Sequence, residues 1–299
     1  MLRDGRRLNI PFDPKSKSLR DQIQKSRDDF AAILNADADG MNQIEGFSRR
    51  QKKHRRKRSP KSRPSRFIFG HDNTVRVPNS RRRRPPFSNV VMLSTGCTGT
   101  LLTTRHVLTA AHCLHDGDEY KTTTSKLRVL VTSRVGYNVF YAKKINIPLG
   151  WIQTDGPIAK TTFDYAVIEL TSPTKLVNGG LQFISNEIDA KRRVQFFYPA
   201  NRWTFLLQSS CDIESRDVGL NGNIVFSKCD TARGSSGAAV LLDGADSTKQ
   251  IVGIVSNFVT ANRNRSQSFT VINKLTWWKI EDICNMIATS GGKLGICRI

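Results

Sequence analysis

Most of the chain carries short runs in which apolar and polar residues alternate. Typical runs are "SNVVMLST", "KLRVLVTS", "DYAVIEL" and "AAVLLD", with glycine, proline or asparagine common between them. About a dozen such runs, beginning near Phe87, predict an antiparallel all-β barrel or sandwich. One stretch near the end, "KLTWWKIEDICNMIAT", has helical periodicity instead, and Gly291 and Gly292 end it.

The first 88 residues have a different character. Apart from "DQIQKSRDDFAAILNA", which fits one short amphipathic helix, they predict mostly disorder. The chain has a net charge of +22, and residues 1–88 hold 24 Lys and Arg against 9 Asp and Glu. We therefore divide the chain into a basic, mostly disordered segment over 1–58, a basic linker over 59–86 and a folded domain over 87–299.

Six cysteines fall along the chain as three neighbouring couples: Cys97 with Cys113, Cys211 with Cys229, and Cys284 with Cys297. The members of each couple are separated by 16, 18 and 13 positions. No Cys-x-x-Cys pair or histidine-rich spacing suggests zinc, so the sequence predicts no metal site. The couples favour three local disulfides and an oxidising compartment; a reduced cytosolic protein with six free thiols is the alternative.

The amino terminus, "MLRDGRRLNIPFDPKSK", carries charge but lacks the apolar stretch of a signal peptide. No run approaches the about 20 apolar residues of a membrane span. Because the cysteines favour export, we expect a secreted protein without a membrane contact. The true amino terminus is then expected upstream of this sequence, and export without a standard signal is the alternative.

Three separated segments contain the residue types of a nucleophilic serine site, which needs a base and a group that orients the base. His112 follows a run of small residues, Asp164 starts an alternating strand, and Ser236 lies in a Gly-Ser-Ser-Gly turn before another strand. Gly234 allows the backbone to aim the amides of Gly234 and Ser236 at one point, as an oxyanion hole requires. Each segment alone has a structural interpretation, but their combination in the order His, Asp, Ser indicates catalysis.

The segment "TGCTGTLLTTRHVLTAAHC", together with "DYAVIEL" and "GSSGAAV", resembles the chymotrypsin-like serine endopeptidases. More narrowly, "HVLTAAHCLHDG" and "KCDTARGSSGAAV" resemble the serine protease 23 and 35 group, and "CDTARGSSG" is also similar to the glutamyl-endopeptidase branch. The resemblance runs from about Ser65 to the end. It implies two packed antiparallel β-barrels with a C-terminal helix, and hence a trypsin-like serine peptidase domain over residues 87–299.

The resemblance also implies roles for individual residues. His112 would be the general base, Asp164 its orienting acid and Ser236 the nucleophile. Cys97–Cys113 would match the disulfide of the family's histidine loop, and the backbone of Ser256 would pair with an extended substrate.

The serine loop departs from the family pattern. Ser235 stands where typical members have the aspartate that binds a newly cut amino-terminal ammonium, and no "IVGG" start is present. Asp230 has two interpretations, selection of arginine or lysine before the cut and a structural role in a β-turn. Phe258 stands where the trypsin-like pattern has glycine, which predicts a narrower specificity pocket.

The basic run "RRQKKHRRKRSP" contains Arg55–Arg58 and predicts cleavage after Arg58 by a subtilisin-like proprotein convertase, which would make residues 1–58 a pro-segment. The alternatives for residues 49–66 are affinity for an anionic polysaccharide such as heparan sulfate, a nuclear or nucleic-acid role, and a solvated tail. The tripeptide "NRS" makes Asn264 an expected N-glycosylation site.

The sequence therefore predicts a secreted serine endopeptidase that cleaves proteins or peptides through an acyl-enzyme, as a monomer without cofactor or metal. A catalytically weak or inactive pseudoprotease that binds polyanions or proteins is the alternative. A basic nucleic-acid-binding protein is a third candidate, and nothing in the folded domain requires it.

Overall fold

The computed structural model describes residues 66–133, 136–154, 157–175, 181–185, 192–200, 204–213, 218–219, 223–244, 248–260, 268–288 and 295–297. The helix expected in residues 21–36, the cleavage site at Arg58, nearly all of the basic segment 49–66 and the sequon at Asn264 lie outside these residues. Within the described ranges, no helix is long and apolar enough to cross a membrane.

In chain order, the described residues form β1 (Arg66–Phe67), β2 (Val75–Arg76), β3 (Val90–Leu93), β4 (Thr98–Leu101), β5 (His106–Thr109), β6 (Arg128–Thr132), β7 (Tyr137–Asn146), α1 (Leu149–Gln153), α2 (Pro157–Thr162), β8 (Ala166–Leu170), β9 (Leu181–Phe183), β10 (Arg193–Ala200), β11 (Phe205–Asp212), β12 (Val218–Gly219), β13 (Ile224–Ser227), β14 (Thr231–Ala232), β15 (Ala239–Asp243), β16 (Lys249–Thr260), β17 (Ser268–Lys274) and α3 (Trp277–Ala288).

The first half of the folded body is a closed antiparallel barrel with the strand order β3-β4-β5-β8-β7-β6. Its interior is filled by aliphatic side chains such as Val91, Val107 and Ile168, which are inaccessible to solvent. The alternating runs of the sequence therefore became barrel strands because each has an apolar face that closure of the sheet removes from water.

The second half is a sheet with the order β12-β13-β17-β16-β15-β10-β11-β2, to which β9 adds in parallel beside β16. Its core includes Phe196, Val240 and Ile272. A disulfide joins Cys211 in β11 to Cys229, two residues beyond β13, with 5.1 Å between the Cα atoms. Because β11 and β13 lie near opposite ends of this order, the disulfide holds the two ends of the curled sheet together and completes the second of the two expected units.

Residues 66–86, assigned to a linker from the sequence, begin with two short strands that pair with the body. Strand β1 pairs with β14, placing Arg66 opposite Ala232 and Phe67 opposite Thr231, and β2 pairs with β11. Each of these strands is two residues long, so the sequence offered no alternation to detect. The folded body therefore reaches to Arg66, whereas the division at residue 58 stays a prediction.

The C-terminal helix α3 packs by one face, and its buried apolar side chains are Ile280, Ile283 and Ile287. On the same helix the buried Lys279 donates through Nζ to Asn273 Oδ1 at 2.6 Å and to the Lys274 carbonyl at 2.8 Å. Burial lowers the pKa of Lys279 well below its ordinary value. Tyr165 Oη, just before β8, donates to Asp282 Oδ2 at 2.7 Å and ties the helix to the first barrel.

All six cysteines are paired, which confirms the three predicted disulfides. The Cα atoms are 6.0 Å apart in Cys97–Cys113, 5.1 Å in Cys211–Cys229 and 5.9 Å in Cys284–Cys297. All three distances are ordinary for disulfides.

Replacing both Cys284 and Cys297 by serine should lower the free energy of unfolding by about 3 kcal/mol, because the disulfide closes a short loop and restricts the unfolded chain. Urea unfolding of the variant and the wild type checks this. An unchanged midpoint with an unchanged slope would show that the bridge does not stabilise helix α3.

Candidate active site

His112 lies in a short 3₁₀ turn, Ala111–Cys113, that follows strand β5. Ala110 and Ala111 are fully buried against the barrel, and Cys113 is bonded to Cys97, the residue before β4. The disulfide therefore fixes the turn that carries the imidazole. The side chain of His112 is 18% exposed, so one edge of the ring remains open to solvent.

Asp164 precedes strand β8, and its side chain is inaccessible to solvent. Its Oδ1 accepts the backbone N–H of His112 at 2.8 Å, and its Oδ2 lies 2.8 Å from His112 Nδ1. An imidazole nitrogen that donates to a carboxylate carries the hydrogen, so the lone pair of the neutral ring is on Nε2. The pair has the geometry of a base held in one tautomer and one orientation.

A third donor to Asp164 is a side chain that the sequence did not indicate. The hydroxyl of Ser256, fully buried in strand β16 of the second sheet, donates to Asp164 Oδ2. A signal was present, since Ser256 is a hydroxyl residue within the apolar run "IVGIVSNF". The expected pairing of the Ser256 backbone with substrate stays a prediction.

The pKa of Asp164 reflects two opposing effects. Burial raises it, but the charge of protonated His112 and the hydrogen bonds from His112 and Ser256 outweigh burial, so the pKa is lowered from its ordinary value of 3.8. The contacts of Asp164 thus favour its carboxylate form.

Ser236 lies in a tight loop whose two flanking glycines have left-handed backbone. The φ angles are +102° at Gly234 and +85° at Gly237. A Cβ atom at Gly237 would lie 2.2 Å from both the Thr98 carbonyl oxygen and Thr109 Oγ1, so a larger residue does not fit.

The serine loop is hydrogen-bonded to both halves of the body. The N–H of Thr98 in β4 donates to the Ser236 carbonyl at 2.9 Å, and the N–H of Gly237 donates to Val255 of β16 at 2.7 Å. Thr98 follows Cys97, whose disulfide partner is adjacent to His112, so the serine loop and the histidine turn are neighbours.

The structure brings His112 and Asp164 into direct contact, but the serine hydroxyl forms no bond to either of them or to any other described residue. No hydrogen bond from Ser236 Oγ is formed within the described part of the chain, and His112 Nε2 lies 3.7 Å from Cys113 Sγ. Hydrogen bonds between a nucleophile and its base often tighten only when substrate is present.

The expected oxyanion-hole amides are those of Gly234 and Ser236. Within the residues described, the N–H groups of Gly234 and Ser236 donate to no acceptor, and both residues are partly exposed. Two such donors beside a serine hydroxyl can stabilise a developing oxyanion by about 3 kcal/mol each. Their assignment stays a prediction.

Cys97, His112 and Cys113 offer potential ligand atoms within 4.8 Å of one another. Both sulfurs belong to the Cys97–Cys113 disulfide, and a disulfide sulfur is not the thiolate that binds a metal. We therefore assign no metal to this cluster.

Asp230 has a structural role, but its partners lie in a distant segment and not in the β-turn that one of its two interpretations expected. It is 1% exposed; its Oδ1 accepts the N–H of Phe69 at 2.7 Å, and its Oδ2 accepts the N–H of Asn73 at 2.9 Å. The ring of Phe258 stacks on Phe67 with 3.6 Å between ring centroids. The amino-terminal part of the body is therefore attached beside the serine loop.

Residues 74–190 match the sequence profile of the trypsin family. Serine protease 23 of Homo sapiens is 31% identical over an alignment of 283 positions that covers 85% of this chain and 70% of that protein. The chain belongs to the trypsin family of serine proteases. Inactive serine protease 35 of Mus musculus is 28% identical over 222 residues, covering 52% of this chain and 54% of that protein. The resemblance predicted from the motifs is thus confirmed.

A solved Glu endopeptidase structure has the same fold, with a TM-score of 0.56 over 74% of this chain and 99% of that one, at 21% identity. This likeness confirms the predicted chymotrypsin-like architecture. The chain therefore has the fold of the trypsin family. Its relatives include proteins named as proteases and proteins named as inactive.

Changing Asp164 to asparagine should remove a pH-dependent part of the stability. Because the folded pKa of Asp164 is lowered, its contribution is present above 3.8 and is lost as pH falls below that value. We expect Asp164→Asn to be less stable than the wild type by about 2 kcal/mol at pH 6, with a flatter profile below pH 4.

Thermal unfolding of both proteins between pH 2 and pH 7 measures this difference. Asp118→Asn, an exposed aspartate on the loop after the histidine turn, is the control and should follow the wild type. Parallel profiles for Asp164→Asn and wild type would contradict the assignment.

Proposed function

We propose that this protein is a serine endopeptidase that hydrolyses protein or peptide bonds through an acyl-enzyme. The observation that carries the proposal is the contact between His112 Nδ1 and the buried Asp164 carboxylate, which orients a base beside the Ser236 loop. The family fold supports it, because the chain belongs to the trypsin family and the three residues occur in the order that the resemblance implied.

In the first half of the reaction, Ser236 Oγ attacks the carbonyl carbon while His112 Nε2 takes the hydroxyl proton. The carbonyl oxygen becomes an oxyanion that accepts the N–H groups of Gly234 and Ser236. Asp164 stays ionised and stabilises the imidazolium. Collapse breaks the C–N bond, the amine takes the proton from His112, and an ester remains on Ser236.

In the second half, a water molecule attacks the ester carbon while His112 Nε2 takes a proton from it. Collapse of the second tetrahedral intermediate returns that proton to Ser236 Oγ and releases the new carboxyl terminus. No cofactor is required, since every proton passes through His112 and the charge is held by the protein.

The setting of this activity is also a proposal. We infer secretion from the three disulfides, which oxidising compartments favour. The chain would be monomeric, with a pro-segment over residues 1–58 removed after Arg58 by a proprotein convertase, a linker from residue 59 and a glycan on Asn264.

A fluorophosphonate probe should add once to the wild type and not to Ser236→Ala, as read by intact mass. Ser235→Ala, a buried neighbour in the same loop, is the matched control and should still react. His112→Ala should slow the reaction by roughly 1,000-fold or more, because the serine loses its base.

Absence of an adduct from protein with all three disulfides formed would favour the pseudoprotease alternative. The reaction is repeated after cleavage at Arg58. An adduct that forms only then would identify a zymogen, and none in either form would reject the peptidase.

A second function, polyanion binding, is favoured by one surface feature. A cleft of about 570 Å³ beside β7 is lined by Lys121, Lys126, Lys143 and Lys144 together with Tyr120. Glu169 pairs with Lys143 at 2.7 Å, while the other three lysines are exposed and form no ion pair within the described residues. Clustered cations in an open cleft suit a sulfated polysaccharide.

The triple variant Lys121→Gln, Lys126→Gln, Lys144→Gln should elute from a heparin column at lower salt than the wild type, because fewer counterions are released on binding. Lys175→Gln with Lys228→Gln, both exposed and elsewhere, is the control. If the salt concentration of elution falls only when the basic residues of 49–66 are neutralised, the basic segment binds the polymer and the cleft does not.

A further inference from the structure

Both oxygens of the Asp230 carboxylate accept hydrogen bonds from the chain that precedes the first barrel. We call residues 66–74 the strap. Its backbone donates twice to this buried carboxylate, from Phe69 at 2.7 Å and from Asn73 at 2.9 Å. The strap is itself tied together, since Arg66 contacts Asp72 at 2.8 Å and donates to Thr74 Oγ1 at 2.7 Å.

The strap contacts both strand β14 and strand β16. Phe67 is opposite Thr231 in the β1–β14 pair, two residues before Arg233, and its ring stacks on Phe258 of β16. The ring planes are 22° apart, and Phe69 adds a second ring 6.1 Å from Phe258. Phe67 thus spans the space between β14 and β16.

The same two strands flank Ser236. Strand β14 ends two residues before Gly234, and β16 is bonded to the loop through the Gly237 N–H and Val255. A carbonyl carbon attacked by Ser236 Oγ has its Cα about 1.5 Å away. The side chain on that Cα would lie between the two flanking strands, β14 and β16, where Phe67 pairs with β14 and stacks on Phe258 of β16.

We propose that the strap closes the specificity pocket, and that Phe67 and Phe258 restrict cleavage to bonds that follow a small residue such as glycine, alanine or serine. This inference rests on the proposed peptidase function and deepens it. Lysine and arginine are excluded for a second reason. A cation reaching Asp230 would have to displace two backbone N–H groups from a carboxylate that is 1% exposed.

The test compares kcat/KM for peptides that differ only in the residue before the scissile bond: alanine, leucine, phenylalanine and lysine. The wild type should prefer alanine over leucine by at least tenfold. Phe67→Ala and Phe258→Gly should each raise the leucine-to-alanine ratio by about tenfold, because either change removes a ring from the pocket. Ile68→Ala is the matched strap control, since that side chain is 44% exposed, and it should leave the ratio as in the wild type.

Preference of the wild type for lysine, lost selectively in Asp230→Asn, would overturn the inference. Equal ratios in Phe67→Ala, Phe258→Gly and wild type would overturn it as well. Both outcomes occur in an enzyme that still reacts with the fluorophosphonate probe, so they differ from failure of the peptidase function, in which no probe adduct forms.

Hydrogen–deuterium exchange tests whether the strap is bound to the folded body, and this test does not depend on catalysis. The peptide covering residues 66–74 should be protected in the wild type and exchange at least tenfold faster in Asp230→Asn, while the amides of strand β15 stay protected in both. Exchange of the wild-type strap at the rate of an unfolded chain would overturn the inference even if the protein proved inactive.

Discussion

The burial of the Asp164 carboxylate is the constraint on which the site depends. An anion with no access to water is tolerated only when donors replace its hydration, and here they come from both halves of the molecule. His112 supplies two from the first barrel and Ser256 supplies one from β16 of the second sheet. His112 and Asp164 therefore meet within the first barrel, and docking of the second sheet adds the third donor, the hydroxyl of Ser256, to the same carboxylate.

The serine loop is also held by contacts with both halves of the molecule, but these contacts involve neutral groups. Thr98 and Thr109 of the first barrel surround Gly237, while Val255 of the second sheet accepts its N–H. Ser235, which replaces the aspartate of the family pattern, is 4% exposed, and its N–H donates to the Ala232 carbonyl at 3.0 Å. The loop is thus ordered by close packing and backbone hydrogen bonds, and an ammonium–carboxylate pair at Ser235 has no place in it.

The sequence predicted the parts of this arrangement that depend on local chemistry. The histidine turn, the acid before β8, the glycine-flanked serine and the three cysteine couples all had recognisable local patterns, and alternation predicted the long strands. What it missed depends on contacts between distant segments. The Ser256 hydroxyl meets Asp164 across 92 positions, and the two-residue strands β1 and β2 are too short to show a period. Asp230 was ambiguous because its partners, Phe69 and Asn73, precede it by 161 and 157 positions.

The contacts also separate what folding requires from what only catalysis requires. The side chains of His112 and Ser256 each bond to Asp164, so removing either one takes a hydrogen bond from a buried carboxylate. A relative without activity would still gain stability from keeping these bonds. Gly234 and Gly237 are demanded by backbone conformation in the same way. The Ser236 hydroxyl is different, because within the described residues it bonds to nothing. Among the described residues, Ser236 is thus the member of the expected triad whose side chain makes no hydrogen bond, and the proposed function depends on it most directly.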